Sequence, residues 1–273
     1  MKHVLRVTLL LLLIGLVMPL VAQEKTLTIG VDQEAIGLDP HIVTAFSSHR
    51  RIDLLYNKLV RHDEDLKIVP DLAESWEIPN NTTYIFNLRK GVKFHNGIEL
   101  TADDVIFSLN RILDPKTAAP GRSYITSIKS MEAISPYQVK ITLSAPLASF
   151  LEELSSNNCA IVSKAAVEQY GNLQKVEVGT GPFILKEWIP DNSMTLVKNS
   201  NYFDKGLPYL DKVIFRVIPE QASLFAGVKS GTLDIAQIND GSTVLLAKRD
   251  PNLIVMQKPG INLRTFGFNV TRK

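Results

Sequence analysis

The chain has 273 residues, which is enough for one large domain or two ordinary ones. Its hydrophobic content of 45% and charged content of 21% are typical of a folded globular protein and exclude a disordered chain. The formal charge of +2 falls to zero once the first 22 residues are removed, leaving 28 basic against 28 acidic residues. A neutral chain gives no electrostatic reason to expect nucleic acid or an anionic membrane surface as a partner.

The N-terminus has the pattern of a secretory signal peptide. Lys2 and Arg6 precede an apolar run over 7–18, then Pro19 follows and the small residue Ala22 offers a cleavage point. The run is too short to span a membrane comfortably. We therefore expect export across the cytoplasmic membrane with cleavage near Ala22, and an uncleaved membrane anchor is the alternative. No cysteine follows the run, so a lipoprotein is not expected.

The first elements after this leader are a strand and a helix. Residues 26–31 alternate as a strand, and the residues 37–40 (Gly-Leu-Asp-Pro) supply the turn that ends it. Residues 47–60 then predict a helix, because Ile52, Leu55 and Leu59 fall on one face.

The most regular pattern in the chain lies between residues 84 and 113. Tyr84, Phe86 and Leu88 alternate with more polar residues and predict a strand with one apolar face, and 92–94 predicts a second, short strand. Asn96-Gly97 indicates a tight turn. Thr101 and Asp104 then form a capping-box pattern at the start of a helix with an apolar stripe through Val105, Leu109 and Ile112. His95 lies in the turn with no partner nearby in sequence, which favours a surface or turn-fixing role.

The remainder of the chain mixes strands and helices. A strand over 213–217, a helix from Glu220 to Gly231 and a strand over 233–236 form a βαβ pattern, which predicts a mixed or parallel sheet. Further strands are predicted over 131–134, 138–143, 183–189, 194–198, 253–256 and 263–269, and further helices over 148–154 and 164–170.

Patterns that would indicate an enzyme or a resident metal are weak. Cys159 is the single cysteine, so neither a disulfide nor a thiolate-rich metal site is possible; it is interpreted as a buried small residue, with a reactive thiol as the alternative. The acidic residues 63–65 lack the glycine and the distal glutamate of a calcium loop. The glycine-rich residues 179–182 lack the lysine of a phosphate loop, and no nucleophile elbow occurs. No catalytic residue, metal ligand or cofactor is predicted, and a secreted hydrolase is disfavoured.

Several short segments, taken together and in order, resemble one known family. The sequences of residues 86–97 (Phe-x-Leu-Arg-Lys-Gly-Val-Lys-Phe-His-Asn-Gly) and 100–109 resemble those of the family-5 extracytoplasmic solute-binding proteins. These proteins are the dipeptide-, oligopeptide- and nickel-type receptors of ABC importers. The resemblance covers about residues 26–273, and further matching segments are 72–76, 179–183 with Trp188, 201–203, 215–219 and 230–235.

The resemblance implies an α/β fold with a periplasmic-binding-protein-like lobe, in which a mixed sheet is flanked by helices. That first lobe is expected to be discontinuous, formed by residues 26–58 and 180–273. Residues 59–179 are expected to form an inserted α+β subdomain. The second lobe of such receptors, which closes over the ligand, is not expected within this sequence, so the chain is interpreted as an N-terminal part that binds peptides weakly or not at all by itself.

The resemblance also implies where a ligand would bind. Thr44, Ala45 and Phe46 fall where peptide-binding relatives offer backbone groups to the ligand as an added strand, and an ordinary helix-entry loop is the alternative. Tyr124 falls near a cleft tyrosine of oligopeptide-binding relatives, and Arg264 completes the candidate ligand-binding residues. The implied partners are a di- or oligopeptide and the membrane permease subunits of an ABC importer, and the implied state is a periplasmic monomer. A nickel chelate, an oligosaccharide or an opine is the alternative cargo.

Overall fold

The computed structural model describes residues 24–257. Within this range the strands are β1 (Thr26–Val31), β2 (Val60–His62), β3 (Ile68–Pro70), β4 (Ala73–Asn80), β5 (Thr83–Leu88), β6 (Ile128–Ser135), β7 (Gln138–Leu143), β8 (Phe183–Ile189), β9 (Ser193–Lys198), β10 (Lys212–Val217) and β11 (Ile235–Ala236). The helices are α1 (Phe46–Leu55), α2 (Ala102–Leu113), α3 (Arg122–Ile125), α4 (Phe150–Leu154), α5 (Lys164–Tyr170), α6 (Gln221–Ser230) and α7 (Gly241–Arg249), with short 3₁₀ turns at Pro115–Thr117 and Asn157–Cys159.

Three sheets are present among the described residues. A five-stranded sheet has the strand order β11-β1-β10-β9-β8, a four-stranded sheet has the order β4-β5-β7-β6, and β2 pairs with β3. In the first sheet β1 and β11 are parallel, with Ile29 opposite Ile235. The mixed sheet predicted from the βαβ pattern is thus confirmed, although β1 lies between the two strands that α6 connects.

The four-stranded sheet and α2 show how the central pattern folds. The three pairings in this sheet are antiparallel. Alternate residues of β5 are buried, as the pattern predicted, and α2 packs its stripe of Val105, Leu109 and Ile112 against β6 and β7. Asp104 accepts the backbone N–H of Thr101 at 3.1 Å, so the predicted capping box begins this helix.

Residues 24–257 divide into two compact units. The first contains Ala35–Trp188 and Met194–Ile214 together with the residues before Thr28, and the second contains Thr28–Glu34, Ile189–Ser193 and the residues from Phe215 onward. The lobe boundaries expected at residues 58/59 and 179/180 differ from these bounds and stay a prediction.

Several local predictions were wrong, and the elements β2, β3, β4, α3 and α7 were not predicted. The first helix ends at Leu55, because Tyr56 is extended at its C-cap and Val60 already pairs in β2. Residues 92–94 form only one bridge, from Lys93 to Glu99, beside the tight turn at Gly97. Residues 253–256 form no strand, and Ile254 is 92% exposed. Helix α7 was missed, although Asp240 caps it by accepting the N–H of Thr243 at 2.7 Å.

Candidate ligand-binding site

The segment over residues 38–46 changes from fully buried to exposed within a few residues. Asp39 and His41 have no exposed surface, whereas Thr44 is exposed and Phe46 is 67% exposed. Ala45 is extended at φ −70° and ψ 130°, and Phe46 begins α1. The buried half can therefore hold the exposed half, residues 44–46, in a fixed position.

A charged cluster fixes the buried half of this segment. Arg111 on α2 donates two parallel hydrogen bonds to Asp39, at 2.9 and 2.7 Å, and a third to Nδ1 of His41 at 2.9 Å. The carboxylate oxygens of Asp39 also accept hydrogen bonds from the backbone N–H groups of Leu173 at 2.9 Å and His41 at 3.1 Å. A bidentate arginine–carboxylate pair of this kind fixes both position and orientation.

The protonation of this cluster follows from its contacts. Arginine can only donate, so Nδ1 of His41 accepts and carries no proton, while Nε2 donates to the carbonyl oxygen of Ala160 at 2.8 Å. Burial and the charge of Arg111 lower the pKa of His41 to about 4. Burial acts to raise the pKa of Asp39, but the hydrogen bonds and charge of Arg111 outweigh it and that pKa lies below its usual value. The cluster is therefore a neutral imidazole beside an ion pair.

Asn158 joins the exposed segment to the loop that carries Tyr124. Its amide nitrogen donates to the carbonyl oxygens of Pro40 at 2.7 Å and Val43 at 3.0 Å. On its other side, a Cβ added at Gly121 would lie 2.8 Å from Cβ of Asn158, so the loop before α3 packs directly on it. Tyr124, in α3, is 37% exposed. The side chain of Asn158 thus contacts both the residues just before 44–46 and the loop just before Tyr124.

The exposed segment keeps free backbone donors. Among residues 24–257, no hydrogen bond is made by the N–H groups of Thr44, Ala45 and Phe46, whereas the carbonyl oxygen of Ala45 accepts from Ser48 and His49 at the start of α1. The guanidinium of Arg50 lies 4.7 Å from the ring centroid of Phe46. Unpaired N–H groups around the extended residue Ala45, beside an aromatic side chain, can pair with another extended chain.

A second buried pair holds the glycine-rich segment 179–182, and it corrects the expectation for His95. The side chain of His95 is only 3% exposed, and its Nδ1 is bonded to the carboxylate of Glu177, which is 82 residues away in sequence. Its Nε2 donates to the carbonyl oxygen of Gly181 at 2.9 Å, and its backbone N–H donates to Gly179 at 2.8 Å. Glu177 also accepts the N–H of Gly179 at 2.6 Å. His95 is thus a buried clamp on this segment.

The contacts of His95 predict a pH-dependent stability. Burial acts to lower its pKa, but the hydrogen bond and charge of Glu177 raise it above the usual value. A raised pKa in the folded state gives stability that is complete below the unfolded value of 6.5 and is lost as the pH rises through the folded value. We expect His95→Gln to cost about 2 kcal/mol at pH 6 and clearly less at pH 9, as measured by urea unfolding. In Glu177→Gln the pH dependence assigned to this pair should be absent, and an equal cost of His95→Gln at both pH values would contradict the assignment.

Cys159 is interpreted correctly as a buried residue. It is 1% exposed in the short turn before Ala160, and burial, with the charge of Glu153, raises its thiol pKa to about 12. The thiol therefore stays protonated and unreactive at neutral pH.

The structure places the predicted site residues as follows. Thr44, Ala45 and Phe46 form one exposed segment, and Tyr124 belongs to the loop that Asn158 links to it, while Arg264 lies outside the described residues. The sequence did not indicate a role for Arg111 or Asn158, because their bonding partners are distant in the chain. The partner of Arg111 is about 70 residues away, and that of Asn158 is about 115 residues away. Across residues 24–257 no group of histidine, cysteine or acidic side chains is arranged to hold a metal ion, and no helix has the length and apolarity needed to cross a bilayer.

Comparison with known proteins identifies relatives of this chain. Glutathione-binding protein GsiB of Escherichia coli strain K12 is 30% identical over 251 residues, which are 91% of this chain and 49% of that protein. Heme-binding protein A of Haemophilus influenzae is 30% identical over 263 residues, which are 87% of this chain and 48% of that protein. The solved structure of the ABC transporter-associated periplasmic binding protein DppA from Helicobacter pylori, in complex with peptide STSA, matches with a TM-score of 0.76 at 32% identity, over 83% of this chain and 49% of that one.

These matches assign the chain to a fold and to a protein family. The fold is that of the periplasmic binding proteins. Residues 67–273 match the family described as "Bacterial extracellular solute-binding proteins, family 5 Middle", and the chain belongs to this family. It spans about half the length of the curated relatives it matches.

Proposed function

We propose that this chain forms part of an extracytoplasmic receptor of an ABC import system, which binds a di- or oligopeptide in the periplasm and delivers it to a membrane permease. The observation that carries the proposal is the set of unpaired N–H groups on residues 44–46, where Ala45 is extended and its two neighbours are exposed. The buried cluster of Asp39, Arg111 and His41 holds the preceding residues in place. Backbone donors bind the main chain of any peptide, which suits a receptor for peptides of varied sequence.

Family membership supports the solute-binding role, and the peptide STSA bound to DppA supports the cargo. Glutathione, the named cargo of one relative, is itself a small peptide. Heme, the named cargo of another relative, is not a peptide, so a non-peptide cargo, such as a nickel chelate, an oligosaccharide or an opine, is the alternative. The free backbone donors favour a peptide over these, because each of the alternatives offers fewer groups in strand geometry.

The test is a titration of the 273-residue chain with tetra-alanine, followed by the backbone amide resonances in NMR. Because the chain spans about half of its relatives, we expect weak, millimolar binding with saturable shifts at residues 44–46. Ala45→Pro removes one of the free N–H groups at a φ of −70° that proline accepts, and it should weaken binding about tenfold.

Ala45→Val is the matched control, because it changes the side chain and keeps the N–H. It should bind as the original chain does. Micromolar affinity would contradict the expectation of weak binding by this chain, and an absence of saturable shifts at residues 44–46 would contradict the peptide proposal.

A further inference from the structure

An open cavity of about 700 Å³ lies in the first compact unit, apart from the candidate peptide-binding segment. It is lined by the C-terminal end of α1, by β2 and β3, and by the loop over residues 202–210. None of Thr44, Ala45, Phe46 and Tyr124 lines it. A cavity of this volume is in the range that holds a small organic molecule.

Two guanidinium groups in this cavity have unused hydrogen-bonding capacity. Nε of Arg89 donates to the carbonyl oxygen of Asp71 at 2.6 Å, and within residues 24–257 its two terminal nitrogens make no hydrogen bond or ion pair. The single hydrogen bond of the Arg61 guanidinium in the same range is a long contact of 3.5 Å to the carbonyl oxygen of His62. Lys58, in contrast, forms an ion pair with Asp53 at 3.2 Å and donates a hydrogen bond to the side-chain oxygen of Asn157 at 2.8 Å. Free guanidinium forks match the geometry of a carboxylate.

The wall beside these arginines is aromatic. The rings of Tyr202 and Phe203 lie 4.5 Å apart, and the guanidinium of Arg89 lies 5.4 Å from the ring centroid of Phe203. Tyr209, which is 77% exposed, also lines the cavity. The cavity therefore offers an apolar aromatic surface, formed by two rings tilted by 43°, next to its free donors. Such a surface accepts an aromatic or apolar body.

Carboxylates limit the charge of the ligand. Asp53, Asp71 and Asp204 line the cavity and balance the charges of Lys58, Arg61 and Arg89. Asp71 is buried with both oxygens bonded, to the amide of Asn57 and the N–H of Lys58, each at 2.8 Å. A ligand with two or more negative charges would be repelled by these groups, whereas a single carboxylate can pair with Arg61 and Arg89.

From these contacts we propose that the cavity is a second binding site, separate from the proposed peptide site, for a small monocarboxylate with an aromatic or apolar body. The carboxylate binds Arg61 and the terminal nitrogens of Arg89, and the body packs on Tyr202 and Phe203. The proposal goes beyond the proposed receptor function and does not depend on it.

The experiment uses phenylacetate as the probe and the full chain as the protein. Amide shifts should be saturable and centred on residues 61, 89 and 202–209, and phenylacetamide, which lacks the charge, should bind at least tenfold more weakly. Inorganic phosphate, tested at a pH where the dianion predominates, should not compete. Arg61→Gln should weaken phenylacetate binding about tenfold, while Arg216→Gln, at an exposed arginine outside the cavity, should leave it unchanged.

The comparison of phenylacetate with phenylacetamide is made on the unaltered chain, so it decides the matter even if Arg61→Gln fails to fold. Equal binding of the two probes, competition by phosphate, or shifts centred on residues 44–46 would each overturn the proposal. The first two outcomes leave the peptide proposal intact, because the tetra-alanine titration is read at other residues.

Discussion

Replacing Arg111 with methionine is expected to lower the free energy of unfolding by about 3–5 kcal/mol at pH 7, because it leaves the carboxylate of Asp39 buried without its counter-charge. The change also removes the hydrogen bond to Nδ1 of His41. The loss should be measured by urea unfolding, with the fluorescence of Trp76 and Trp188 as the probe.

The pH dependence of this loss has a definite sign. The lowered pKa of Asp39 gives stability that is present above its unfolded value of 3.8 and is lost as the pH falls through the folded value. In the variant, burial without Arg111 raises that pKa, so protonation removes the unpaired charge on acidification. The difference between the two proteins should therefore narrow between pH 7 and pH 4.

Two further variants separate the charge effect from simple loss of packing. Arg216→Met, at an exposed arginine, should change the stability by less than about 0.5 kcal/mol. The double variant Asp39→Asn/Arg111→Met removes the unpaired charge and should be more stable than Arg111→Met. A single variant that loses less than about 1 kcal/mol, or a double variant no better than the single one, would contradict the role given to this cluster.

Gly179→Ala should be the other strongly destabilising change, with a loss of about 3 kcal/mol or a failure to fold. A Cβ at this position would lie 1.9 Å from the carbonyl oxygen of Leu55, at the end of α1, and 2.9 Å from Cδ1 of Tyr56. The neighbouring Gly181 donates its N–H to the same oxygen at 2.9 Å. The clash is with a backbone atom, so a side-chain rotation cannot relieve it. Moving the end of α1 away would break the hydrogen bond from Gly181.

The control is Gly241→Ala in the first turn of α7, where an added Cβ meets no atom within 4 Å. Alanine there should leave stability unchanged or raise it by up to about 1 kcal/mol. The measurement is again urea unfolding, supported by circular dichroism to detect variants that do not fold. A Gly179→Ala variant as stable as Gly241→Ala would show that the segment can move away from α1.

Local patterns predicted the elements that depend on local interactions. The capping box of Thr101 and Asp104 spans three residues, and the alternation of Tyr84, Phe86 and Leu88 repeats every second residue, so both are readable in a short window. Residues 253–256 show the converse: their alternation is strand-like, but they pair with no strand within residues 24–257.

The contacts that hold the candidate site join distant parts of the chain. Arg111 and Asp39 are 72 residues apart, and His95 and Glu177 are 82 residues apart. Nothing in the periodicity of either segment specifies such a partner. The family resemblance selected residues 44–46 as candidate ligand-binding residues, but the anchoring by Asn158 required the three-dimensional contacts.

The neutral imidazole of His41 has one further consequence. With a pKa of about 4, the imidazole stays neutral in the folded protein across the mildly acidic and neutral pH range. The conformation of the neighbouring turn is therefore insensitive to pH in this range. The unfolded chain, in contrast, takes up that proton below about pH 6.5, so acidification weakens folding before it alters the geometry of the turn. In the receptor proposed above, ligand binding at residues 44–46 would therefore persist under mild acidification as long as the protein remains folded.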